Sequence, residues 1–217
     1  PRFVDSEVTN RLRNTAAPLD QLMRNDRAIL LRNALVDTAS GEPLEIPASL
    51  RSTLAADAWV IQARGAITPE FRAELARAGA TILSYVPNNA LLVRATSDAA
   101  DQLAVSSLTA AILPLEPYFK LTPRLLQFAL ADEPLPEGQH LVLTIPDAPR
   151  ELPELAALGA RELSRERGPF GTLVTVDAPR NALIAVAGLP SVHRVEPVRA
   201  VALANDLVAG RKAETGA

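Results

Sequence analysis

An internal repeat constrains this 217-residue chain more than any other feature, because a duplicated unit decides the architecture before single elements are assigned. Leu75-Ala76-Arg77-Ala78-Gly79-Ala80 recurs as Leu155-Ala156-Ala157-Leu158-Gly159-Ala160, and Leu115-Glu116-Pro117 recurs as Val195-Glu196-Pro197. Both pairs stand 80 residues apart, and Leu103 and Ile112 fall on Leu183 and Val192 at that same offset. Upstream, Trp59-Val60-Ile61-Gln62 aligns with Leu141-Val142-Leu143-Thr144 at offset 82, so one loop differs by two residues. Chance matches come easily in an Ala- and Leu-rich chain, but a constant offset across several elements does not.

Local signals give each copy its elements. In the first, residues 59–63 are β-prone and stop at Gly65. Thr68 stands at an N-cap position with Pro69 at the first helical position, where the missing N–H costs nothing. Phe71, Leu75 and Ala78 recur at helical spacing, and Gly79 supplies the left-handed stop. Strands are expected over 80–86 and 90–95, joined by the turn Pro87-Asn88-Asn89. A second helix, capped by Asp98, turns Ala100, Leu103, Ala104 and Leu108 inward, and a strand over 111–116 ends at Pro117. The second copy reads as strand 141–145, helix 149–158, strands 160–166 and 172–176, helix 179–187 and strand 192–196.

Strand–helix–strand–strand–helix–strand, twice, predicts an α+β protein of two tandem ferredoxin-like (βαββαβ) domains, each an antiparallel sheet with two helices on one face. The expected divisions are an N-terminal extension over 1–57 packing on the first domain, domain 1 over 58–122, a linker over 123–138, domain 2 over 139–198 and an extended tail over 199–217. The linker opens with a short helix that Thr122 caps, with Leu125, Leu126 and Phe128 inward, and continues through an acidic, Pro-broken stretch, Asp132 to Gly138. In the extension, residues 1–18 are polar and expected to pack loosely. Ala28-Ile29-Leu30-Leu31 and Ala34-Leu35-Val36 suggest an ordered strand, with a helix as the alternative. The expected first core is Trp59, Ile61, Phe71, Leu75, Leu91, Val93, Leu103 and Ile112; the second is Leu141, Leu143, Leu155, Leu173, Leu183 and Val192.

Composition then removes whole function classes. Lys and Arg total 22 against 25 Asp and Glu, a net charge of −3, which gives no general field for a polyanion; no nucleic-acid partner is expected. The absence of cysteine excludes zinc fingers, disulfide frameworks and thiol catalysis. No apolar run approaches the roughly 20 residues that span a bilayer, so no membrane partner is expected, and no signal-peptide pattern opens the sequence. His140 and His193 are the only histidines, each at the start of a strand, where an ordinary surface or half-buried role is the plain reading. No cluster has metal-ligand spacing and no Gly-rich phosphate loop occurs, so neither metal nor cofactor is expected. Val36-Asp37-Thr38-Ala39-Ser40-Gly41 superficially matches the aspartate motif of serine proteases, but the residues after the Thr are wrong and no matching His or Ser motif follows. A turn is the better reading, and the chain is not expected to be an enzyme.

A resemblance is carried by Trp59-Val60-Ile61-Gln62, Gly79-Ala80, Tyr85-Val86-Pro87-Asn88-Asn89-Ala90 and Glu116-Pro117-Tyr118, and by Leu30-Arg32-Asn33-Ala34 with Asp37-Thr38. Together these resemble the N-terminal propeptide region of bacterial subtilisin-like serine protease precursors. The run from Val195-Glu196-Pro197 to Ala204-Asn205-Asp206 is similar to the segment leading into the catalytic domain of such precursors. The resemblance spans about residues 28–210 through soft motifs, and it departs from the family in carrying two units in tandem. It implies a secreted or extracytoplasmic propeptide that serves as intramolecular chaperone and inhibitor of a subtilisin-like catalytic domain. The C-terminal tail would lie in the substrate cleft as an added strand. The residues placed against the protease are Glu196, Asn205, Asp206, Glu214, Thr215, Gly216 and Ala217, with Glu196 facing the positive end of a helix and Glu116 its counterpart in the first domain. Ala217 reads either as a cleaved product terminus or as a mere boundary. The rival readings are a non-catalytic tandem regulatory module and a retained structural domain of a larger secreted protein.

Overall fold

The computed structural model describes residues 11–198; the predicted tail lies outside the described residues, as do residues 1–10. The fold is α+β, built on antiparallel pairing. At the N-terminus β1 (Leu12–Arg13), the short helix α1 (Leu19–Leu22), β2 (Ala28–Leu30) and β3 (Ala34–Asp37) are followed by a single 3-10 turn, Ala48–Leu50. β2 and β3 pair antiparallel and β1 adds parallel to β3, so the apolar stretch read as one strand or a helix is a hairpin.

The first repeat folds as β4 (Ala58–Ala63), α2 (Pro69–Arg77), β5 (Thr81–Val86), β6 (Ala90–Arg94), α3 (Ser97–Ala104) and β7 (Thr109–Pro114). After α4 (Pro117–Lys120) and α5 (Pro123–Ala131), the second repeats this order as β8 (Leu141–Ile145), α6 (Pro153–Ala157), β9 (Arg161–Gly168), β10 (Gly171–Asp177), α7 (Leu183–Gly188) and β11 (Arg194–Pro197). The sheets run β5-β6-β4-β7 and β9-β10-β8-β11. Each therefore places its strands in the order second, third, first, fourth, with every neighbour antiparallel.

Thr68 caps α2 by accepting from the Phe71 N–H, with Pro69 inside the first turn, and Gly79 takes φ +76° just beyond the helix. The cap of α3 is Thr96, not Asp98: its hydroxyl accepts from the Ala99 N–H, which shifts the helix two residues earlier than the aspartate would. Ala99, Ala100 and Leu103 are its buried side, while Ala104 and Leu108 are exposed. β7 likewise starts and ends two residues early, because Glu116 and Pro117 open α4. The expected helix over 149–158 shrinks to α6, since Leu152 before Pro153 is driven out of helical geometry at φ −125°, ψ 70°. The helix over 179–187 starts only at Leu183, after a turn in which Pro179 O accepts from Ala182 N. β11 begins at Arg194 rather than residue 192.

The first core joins Ile61, Phe71, Leu75, Leu91, Val93 and Leu103, with Trp59 and Ile112 half-buried beside it. The second gathers Leu141, Leu143, Ile145, Leu155, Val174, Val176, Leu183, Val186 and Val192. Leu173, expected in that core, points to the opposite face, because Val174 and Val176 are the residues aligned with Leu143 and Leu141. Residues 123–138, expected as a linker, contribute Leu125, Leu126, Ala129 and Leu135 to this same core. Leu135 is only 1% exposed, and its N–H and C=O bond to the carbonyl and guanidinium of Arg180. Thr122 precedes α5 but its hydroxyl is buried without a partner rather than capping the helix.

Candidate protein-docking surface

A βαββαβ sheet buries one face under its helices and leaves the other to be covered or exposed, and the two repeats resolve this differently. In the first, Val60 and Ala90 on the far face pack with Ile29, Ala34 and Val36 of the N-terminal sheet. The contact is secured by Gln62, which is fully buried near the C-terminal end of β4. Its Nε2 donates to the carbonyls of Asp26, Ala28 and Asn88 at 3.0–3.3 Å, and its Oε1 accepts from the Thr38 hydroxyl at 2.7 Å. One amide thus satisfies backbone from the N-terminal sheet and from the β5–β6 turn, where Asn88 and Asn89 hold left-handed geometry at φ 66° and 62°.

In the second repeat, Thr144 occupies the place of Gln62 in β8. The register sets Leu173 and Arg194 beside it, and Thr175 and Glu196 beside Val142. Glu166 and Ser164 of β9 extend the face outward. Its apolar members, Val142 and Leu173, join no buried cluster; Thr144 is buried at 8% exposure, Val142, Leu173, Thr175, Arg194 and Glu196 are half-buried, and Ser164 and Glu166 are exposed. The result is a mixed polar and apolar sheet face, rimmed by charge and open along β9. At the end of that strand, the turn between β9 and β10 exposes Phe170. Beside it lies an open hollow of about 510 Å³, lined by Asp147, Arg165, Arg167, Pro169 and Thr172. Asp147 also pairs with Arg94 of the first repeat at 2.8 Å.

Glu196 lies at the rim of this face on β11, but its carboxylate is engaged within the chain. Arg194 Nη2 donates to its Oε1 at 2.8 Å, and Arg32 Nη1 approaches the same oxygen to 3.9 Å. A partner's helix end would therefore exchange with two arginines. Glu116, its counterpart in the repeat, accepts instead from the Ser52 N–H. Asn205, Asp206, Glu214, Thr215, Gly216 and Ala217 lie outside the described residues.

The histidines separate. His140 Nε2 stands 3.9 Å from Asp177 and is half exposed, whereas His193 is buried with Nε2 3.6 Å from Asp57, just before β4, and Nδ1 unpartnered. Near Asp57, Lys120 is 4% exposed and Nζ donates to the Leu189 carbonyl at 2.9 Å. Burial lowers its pKa to about 8, against the partial opposition of the Asp57 and Glu116 carboxylates. This charged joint between the repeats was missed from sequence, although a lone lysine in Tyr118-Phe119-Lys120-Leu121 is a signal for it. Gln62, the one polar residue in an otherwise apolar strand, is a second.

Among the described residues, no group of three or more His, Asp or Glu is arranged to hold a metal ion. No helix among them is long and apolar enough to cross a membrane. Residues 25–116 match a family model described as a domain of unknown function (DUF8729). That stretch takes β2 and β3 together with the first repeat, across the boundary expected at residue 57. No curated protein and no solved structure matches the chain.

Proposed function

We propose that the chain is a non-catalytic docking module of two ferredoxin-like units, and that it controls a subtilisin-like catalytic domain as a propeptide does. The observation that carries this reading is the asymmetry between the two sheets: the far face of the first is occupied by its own N-terminal sheet, and that of the second enters no buried cluster. The shared strand order and the placement of helices on one face support the ferredoxin-like assignment. The partner's identity rests on the resemblance in residues 28–210.

In this reading the second unit presents Leu173, Thr175 and the Arg194–Glu196 rim to the protease, and the first unit with its cover acts as a brace. β11 is the last strand before residues 199–217, so a tail anchored by the folded unit reaches the cleft at raised effective concentration. Without that anchor, ordering each tail residue costs on the order of 1–2 kcal/mol. The surface would also template folding of the catalytic domain, whose parallel sheet is slow to form. An extracytoplasmic location follows from the same reading.

The test adds the full chain to mature subtilisin-like proteases and follows hydrolysis of a chromogenic peptide. The expected result is competitive inhibition, weakened at least about tenfold by Leu173→Glu with Thr175→Arg, substitutions on a face without core contacts. The chain alone should show no turnover. Absence of inhibition across such proteases, or inhibition indifferent to the face variants, overturns the proposal.

A further inference from the structure

We propose that β5 is a self-complementary docking edge, along which a second copy of this chain adds antiparallel to join the two first-repeat sheets into one of eight strands. This rests on the edge itself and is independent of the protease reading.

β5 terminates its sheet and pairs only with β6, so its outer N–H and C=O groups are unpaired among the described residues. Such an edge is normally protected by charge, by proline, by brevity, by a covering segment or by a β-bulge, and of these β5 has only the bulge at Leu83. The other edges each use one of these devices. β9 carries Arg161, Glu162, Arg165, Glu166 and Arg167. β11 is flanked by Leu121, and its Val195 carbonyl accepts from the Thr122 N–H. β7 is partly buried along its length and ends in Pro114. β1 and β2 have two and three residues.

β5 reads Thr81-Ile82-Leu83-Ser84-Tyr85-Val86, six residues without charge or proline. Its one irregularity is a register shift between Ile82 and Ser84, which leaves Leu83 as an extra residue against β6. That shift puts both Ile82 and Tyr85 on the helix side of the sheet, opposite Val93 and Leu91. Tyr85 is 61% exposed and Ile82 36%.

The occupant follows from the pattern. When β5 meets its own copy about a two-fold axis between Leu83 and Ser84, Thr81 faces Val86, Ile82 faces Tyr85 and Leu83 faces Ser84. The two exposed apolar side chains thus meet as an aromatic–β-branched pair, made twice by symmetry, and no charge is set against a like charge.

Sedimentation velocity of the full chain tests this over roughly 5–500 µM, the range suited to an interface smaller than a standard one. The expected result is a monomer–dimer equilibrium. Two variants carry like charges where Ile82 meets Tyr85: Ile82→Lys with Tyr85→Lys, and Ile82→Glu with Tyr85→Glu. Each should be a folded monomer alone, and an equimolar mixture should recover the dimer. A wild-type chain that stays monomeric throughout overturns the proposal. So does a dimer that persists in both variants, or a pair of folded variants that fails to associate on mixing.

Discussion

Lys120 Nζ donates to the carbonyl of Leu189 at 2.9 Å, tying α4 to the residue that follows α7 through an almost wholly buried ammonium. Asp57 just before β4 and Glu116 before α4 offset part of the desolvation cost, which still dominates. The joint between the repeats is thus polar, and it is completed by His193 beside Asp57 and Arg94 on Asp147.

A pH signature follows for stability. The folded pKa of Lys120, about 8, lies below its ordinary 10.5, so between those values the unfolded chain binds more protons and folding gains as pH rises. Below pH 8 the charge is carried in both states and the penalty is constant. The wild-type chain should therefore gain on Lys120→Met by up to about 3 kcal/mol between pH 8 and 10.5. Urea unfolding of both proteins at several pH values measures it. A constant difference would mean that the ammonium is not desolvated.

Gln62→Leu should cost roughly 2–4 kcal/mol, because the carbonyls of Asp26, Ala28 and Asn88 and the Thr38 hydroxyl lose a common partner in the interior. The loss should appear first as faster amide exchange in β2 and β3, since those strands are what the amide secures. Exchange unchanged there would assign Gln62 a role confined to its own sheet.

Gly171→Ala should destabilise by roughly 2–3 kcal/mol. The residue sits at φ +130°, and a β-carbon would come within 2.9 Å of the Pro146 Cα, which is backbone and cannot rotate away. Thermal unfolding of the variant checks this, and a shift within error would show that the β9–β10 turn adapts without cost.

Val174→Ala and Leu173→Ala form an adjacent pair with opposite expectations. Val174 is 0% exposed between Leu143 and Arg165, so its truncation should cost roughly 2–3 kcal/mol, while Leu173→Ala on the other face should cost less than about 1 kcal/mol. Equal effects would mean that the far face of the second sheet is itself buried.

Much of the fold was legible because it is encoded over short distances. Thr68-Pro69 at a helix start, Gly79 beyond its end, and the recurrence of Leu75 and Glu116 eighty residues on each declare themselves within a few residues or by comparison of the chain with itself. The order of strands and helices in both repeats followed. Placement within an element was less secure where local signals compete. Thr96 and Asp98 are both good caps, and Leu173, Val174 and Val176 put apolar side chains on both faces of one strand, so that a slip of one residue reverses the assignment.

What only the tertiary structure decided depends on residues far apart in sequence. Asn33 Nδ2 donates to the carbonyls of Tyr118 and Leu121, and Thr38 to Gln62, contacts that no local window contains. They tie the N-terminal hairpin to the first sheet and to α4, while Leu125, Leu126, Ala129 and Leu135 pack into the second core. The physical reason is that a sheet's second face has no periodicity announcing its cover. Val60 and Val142 are equivalent in the repeat and alike in sequence, yet one is buried beneath β3 and the other half-buried on a face without core contacts. The repeat specified two sheets from sequence alone; which of them has its second face covered was settled by where β2 and β3 came to rest.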